Sequence, residues 1–126
     1  MWVFLNDAFL SIVEPSIDDG GLNEDLLVRA RFNGDIEKVF PSADVKQTDD
    51  HDYAYRALVN RHKVADMMAS EVDHINYHNF KGSVRQKFRH DAYSDVWVQM
   101  YRAQVINEGG GYVNWYDYVK DIQDDK

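Results

Sequence analysis

Cysteine is missing from this sequence altogether. Its absence excludes disulfides, thiolate nucleophiles, iron–sulfur clusters and cysteine-ligated zinc. It also fits a reducing compartment, so a cytoplasmic location is expected. Long apolar runs are missing too. Nothing approaches the ~20 apolar residues that span a bilayer, and no membrane partner is expected. Residues 1–5 are apolar, but they lack a basic leader and run straight into Asn6-Asp7, which points to a strand rather than a signal peptide. The only prolines, Pro15 and Pro41, each close an element. No internal repeat is present. Cations are outnumbered, with 14 Lys and Arg against 22 Asp and Glu and a formal net charge of −8. Such a surface as a whole repels nucleic-acid phosphates and attracts basic partners.

What remains is an aromatic-rich chain of 126 residues, long enough to bury a core without staples. Residues 53–59, Tyr-Ala-Tyr-Arg-Ala-Leu-Val, crowd aromatic, branched and small side chains around one charge, Arg56, which suits a strand. Asn60 then offers a side-chain oxygen to cap a helix. In that helix Val64, Met68, Val72 and Ile75 recur at helical spacing, and this stripe is expected to be its buried face.

Upstream, residues 2–5 and 8–14 read as strands joined at Asn6-Asp7. In the second, Ala8, Leu10 and Ile12 alternate with Phe9, Ser11 and Val13. A polar loop bearing Asp18-Asp19-Gly20-Gly21 leads to a strand over 26–32, with Arg29 and Arg31 on one face and Val28, Ala30 and Phe32 on the other. Asn33-Gly34-Asp35 opens a short helix with Ile36, Val39 and Phe40 buried, and residues 44–48 read as a polar edge strand. Downstream, Phe80, Val84 and Phe88 suggest a helix weakened by Gly82, and residues 91–107 a stronger one with Tyr93, Val96, Trp97, Met100 and Ala103 on its apolar side.

The fold class is therefore expected to be α+β. An antiparallel sheet of four to five strands would contain a ferredoxin-like strand–helix–strand–strand–helix core, with additional C-terminal helices. Residues 1–107 are expected to form a single domain. Residues 108–126 would be an aromatic and acidic tail hinged at Gly109-Gly110-Gly111.

Several constellations are candidates for chemistry. Glu71, His74 and His78 stand at i, i+3 and i+7, so a long enough helix would put them on one face, where they could hold a metal. The zincin pattern is broken, because Ile75 follows His74 where a glutamate is needed. Two histidines at a helix C-terminus would otherwise suit its dipole. No metal or other cofactor is expected. Residues 78–103 carry five Lys or Arg against two Asp, a local sum of +3 that leaves −11 for the rest. Lys81, Arg85, Lys87 and Arg89, flanked by aromatics, could track a nucleic-acid backbone, or they could pair with acidic loops of the same chain. His90-Asp91 resembles a catalytic pair in sequence only, and no nucleophile elbow accompanies it.

The acidic residues gather in two loops, Asp18, Asp19, Glu24 and Asp25, then Asp44, Asp49, Asp50 and Asp52. The first lacks the alternating ligands of an EF-hand. Carboxylates set on a rigid surface can imitate a phosphate row and occupy a basic groove. Beyond the glycines, Trp115 and Tyr116 are candidate anchors for a protein contact, or for docking on the parent domain.

Residues 1–13, 26–31 with 34–37, 53–59 and 89–93 resemble a family of small bacterial proteins of unassigned function. The likeness extends to about Gln104 and implies one compact unit, but no activity. The expectation from the residues themselves is a non-enzymatic acidic regulator. Asp18, Asp19, Glu24, Asp25, Asp49, Asp50, Asp52, Trp115 and Tyr116 would face a protein partner with a basic surface. On a phage or mobile element this would describe an anti-CRISPR-like inhibitor of a nucleic-acid-binding defence complex. The rival is a small nucleic-acid-binding or metal-dependent nucleic-acid-processing enzyme. It would place Lys81, Arg85, Lys87 and Arg89 on phosphates and use His74, His78 or His90 for chemistry.

Overall fold

A computed structural model of the chain describes residues 1–109. The expectations for Trp115, Tyr116 and the rest of the tail lie outside these residues. The chain divides at Ser83–Val84 into two units.

The first unit, Met1–Ser83, is α+β. Aromatic and branched apolar residues dominate all the strands but the polar β4: β1 (Trp2–Phe4), β2 (Phe9–Val13), β3 (Asp25–Ala30), β4 (Lys46–Gln47) and β5 (Tyr55–Asn60). They form one antiparallel sheet in the order β1-β2-β3-β5-β4. The period of two holds in β2 and β3, where Leu10, Ile12, Val28 and Ala30 all reach the core. Phe32 does not follow, because β3 ends at Ala30 and leaves it exposed.

The core lies on one face of the sheet, under α1 (Asp35–Val39) and α2 (Arg61–Asp73). Gly34, immediately before α1, has φ 93°, a left-handed backbone that a side chain would strain. It aims Ile36 into the core, with Phe40 following. The buried Asp35 carboxylate accepts the Phe9 N–H at 3.0 Å and ties α1 to the start of β2. At the head of α2, Asn60 Oδ1 accepts the His62 N–H at 2.9 Å, satisfying one of the orphan donors of the first turn.

Two expectations need correcting here. The sheet does not have the ferredoxin-like order. β5 does lie between β3 and β4, as in a split strand–helix–strand unit, but β2 from before β3 holds the other side of β3, where a strand after α2 would be needed, and no strand follows α2 among the described residues. Burial explains this order. Ala57 and Val59 of β5 are core residues, whereas Lys46 and Gln47 are exposed and suit an edge. The stripe on α2 also differs. Val64 and Met67 are buried and Met68 packs against the core, but Val72 is 63% exposed and Ile75 lies beyond the helix end. Only the first two turns of α2 lie over the sheet.

The basic segment is not one helix. α3 (Phe80–Ser83) closes the first unit, and α4 (Lys87–Asn107) belongs to the second. Gln86 is extended (φ −73°, ψ 125°) and starts α4 afresh. Within α4, Tyr93 is buried, Met100 is exposed, and Trp97 stacks on Tyr101 with centroids 5.7 Å apart. Among the described residues no helix is long and apolar enough to cross a membrane.

Candidate binding surface

The two acidic loops, well separated in sequence, converge on one cleft of about 570 Å³. Asp18 and Asp19 line it from the loop after β2, and Asp44, Thr48 and His51 from the segments flanking β4. Lys46 and Arg56 add cations, while Leu27, Ala57 and Leu58 supply apolar wall.

The carboxylates of these loops divide into two sets. Asp19 caps a single 3₁₀ turn (Ile17–Asp19), accepting the Ser16 N–H at 2.7 Å and the Ser16 hydroxyl at 3.0 Å. It also meets Arg56 Nη2 at 3.4 Å. The Ser16 backbone hydrogen bond is the main cause holding its carboxyl below the usual 3.8, with the Ser16 hydroxyl and Arg56 assisting against a burial cost. Asp52 takes a two-pronged bond from Arg31, at 2.9 and 3.2 Å, which lowers its carboxyl and raises the guanidinium. Asp25 accepts the Leu22 N–H at 3.0 Å, Asp44 pairs with Lys46 at 3.2 Å, and Glu24 lies 3.9 Å from His62. Asp18, Asp49 and Asp50 form the second set. They are exposed, and no hydrogen bond or ion pair of their side chains occurs among the described residues. Asp49 and Asp50 sit in the turn between Thr48 and His51, both of which line the cleft with Asp18.

The loop carrying Asp18 and Asp19 runs close over the sheet. A Cβ added at Gly21 would stand 3.0 Å from Leu58 Cδ2, so glycine permits this approach.

The other candidate residues are placed as follows. Arg89 is buried, with Nε donating to Gln86 Oε1 at 2.9 Å, and Lys87 is held by Asp91 at 2.7 Å, one helical turn on. Lys87 and Arg89 are thus engaged within the chain. Arg85 is exposed and Lys81 half-buried. His90 Nδ1 stands 3.6 Å from the adjacent Asp91, a contact along an exposed helix with no serine nucleophile brought to it. Glu71 lies in the last turn of α2 and His74 caps its end, with Nδ1 2.7 Å from the Ser70 carbonyl oxygen. That carbonyl also accepts the His74 backbone N–H at 3.1 Å, so the imidazole folds back on its own helix end. His78 lies beyond the helix, so the i, i+3, i+7 face does not form. Among the described residues no group of three or more His, Cys, Asp or Glu is placed to hold a metal ion.

Sequence reasoning missed a row of cations on the face of the sheet opposite the core cluster. The register sets Arg29 opposite Arg56, and Arg56 opposite Lys46. The Arg29 and Arg31 guanidiniums lie 4.7 and 4.2 Å from the ring centroid of Tyr53, which is buried just ahead of β5. Each strand showed its arginine in sequence, but only the pairing reveals that they share a rung. No protein-family model, curated protein or solved structure matches this chain.

Proposed function

We propose that this protein is a non-enzymatic interaction module whose acidic loops engage a basic surface on a protein partner. One observation supports the reading most. Asp18 lines the cleft, Asp49 and Asp50 sit 31 or more positions on between two residues that line it, and among the described residues none of the three has an ion-pair partner. Carboxylates already spent on Arg31, Arg56 or Lys46 shape the loops, and the unspent ones are left for a partner. Complementary charge of this kind speeds encounter and sets orientation more than it adds affinity. The dispersal of other carboxylates, such as Asp66, Glu71 and Asp73 along α2, keeps the overall potential negative and favours the same class of partner.

A salt series tests this. Immobilised protein is exposed to a lysate of its source at about 0.05 M and about 1 M salt, where the screening length falls from over 10 Å to about 3 Å. A partner retained at low salt and released at high salt is expected. Retention that does not change with salt contradicts the reading. The nucleic-acid alternative draws less support, because Arg89 is buried and Lys87 is paired.

A further inference from the structure

Under the loop over residues 15–25, one rung of the sheet runs from edge to edge through Trp2, Ser11, Arg29, Arg56 and Lys46. Three cations stand directly opposite one another in succession, on strands spaced about 4.8 Å apart. Like charges so placed repel and cost stability. Composition does not explain the row in a chain of net charge −8.

The compensation along the rung is uneven. Lys46 has Asp44 at 3.2 Å, a pair in which both side chains are largely exposed. Arg56, largely buried, has a single 3.4 Å contact to Asp19. Among the described residues Arg29, between Arg56 and Ser11, has no carboxylate within ion-pair distance, though its charge is felt by Asp52. Its Nη2 donates to Ser11 Oγ at 2.7 Å, and its buried Nε has no hydrogen-bond partner. A second orphan lies in the cleft itself, where Thr48 Oγ1 is buried and unpartnered beside Lys46 and Arg56. Buried polar groups are nearly always satisfied, so the Thr48 orphan beside two cations points to a missing acceptor-rich group in the cleft, while Arg29 stands behind it on the neighbouring strand.

We propose that the cleft is a phosphate site, in which a phosphate group borne by a small molecule sits on Arg56, Lys46 and the Thr48 hydroxyl, with Arg29 adding charge from the next strand. A phosphate carries close to two negative charges and several acceptor oxygens, matching a guanidinium fork, an ammonium and a hydroxyl at once. Asp19 is then a resident stand-in. Its carboxylate is held mainly by Ser16 and only grazes Arg56, so it can yield the guanidinium without unfolding its own turn. Asp18 and Asp44 line the same cleft and oppose an anion, so the site depends on the sheet cations outweighing them, and its phosphate titration reads separately from partner capture.

The test is an NMR titration with inorganic phosphate at ionic strength held constant with chloride, following the Nε–H signals of Arg56 and Arg29. Saturable movement of both is expected. Asp19→Asn should saturate at about tenfold lower phosphate and Lys46→Ala at about tenfold higher, as befits loss of a competing or a contributing charge. Lys46 is an exposed edge residue, so that variant keeps the fold even if Arg56→Met does not. No saturation in either the parent protein or Asp19→Asn overturns the site, as does unchanged affinity in Lys46→Ala. Acetate saturating at the same concentrations overturns its assignment to phosphate.

Discussion

Asn60 shows how much one side chain can decide. Its amide oxygen ends β5 and starts α2 in the same contact. Asn60→Ala should lower stability by about 1 kcal/mol, the ordinary cost of losing a helix N-cap, read by urea denaturation. Asp19 gives a pH prediction. Its folded-state pKa lies below the ordinary 3.8. Its contribution is therefore complete above that value and is lost as pH falls through the lowered one. Asp19→Asn should be less stable at neutral pH and show a shallower loss of stability on acidification below about pH 4. An acid limb identical to that of the parent protein would show that the Ser16 and Arg56 contacts contribute nothing in solution. The Asn60 cap was legible in the sequence because its partner is two residues away. The Asp19–Arg56 and Arg31–Asp52 contacts were not, because they join residues 37 and 21 positions apart, whose meeting depends on register.

Among the elements, α2 marks where pattern reading stops working. Helical spacing correctly predicted a helix with Val64 inward. It could not show where the sheet beneath the helix ends, and so it placed Val72 in the core. Met67→Ala should cost about 2–5 kcal/mol, as for a buried methionine truncated in a packed core. Val72→Ala should change stability by no more than about 0.5 kcal/mol, as for an exposed site. A loss at Val72 equal to that at Met67 would return Val72 to the core. Strand faces were easier to read, since a period of two leaves one choice per strand, and Leu10, Ile12, Val28 and Ala30 all fell as expected. Strand order was harder, because it depends on which strand most needs a central place. The split unit itself puts β5 between β3 and β4, but the other side of β3 went to β2, from earlier in the chain. The break between α3 and α4 follows from Gly82 weakening the first helix and Gln86 adopting an extended backbone.

At the scale of the whole molecule, charge was visible in the sequence but its distribution was not. The acidic loops meet cations on the sheet of their own unit. Arg31, Lys46 and Arg56 of the sheet region offset part of them, and Asp18, Asp49 and Asp50 are left over. The basic segment, conspicuous as a run, is broken between two helices and partly consumed by Asp91 and by the burial of Arg89. Location, more than total charge, is what the proposed docking role depends on. The direct measurement is partner capture by two variants of equal net charge. One carries Asp18→Lys, Asp49→Lys and Asp50→Lys at the cleft rim. The other carries Asp66→Lys, Glu71→Lys and Asp73→Lys on exposed positions of α2. The account predicts that the first loses its partner and the second keeps it. Equal retention or equal loss in the two would contradict it.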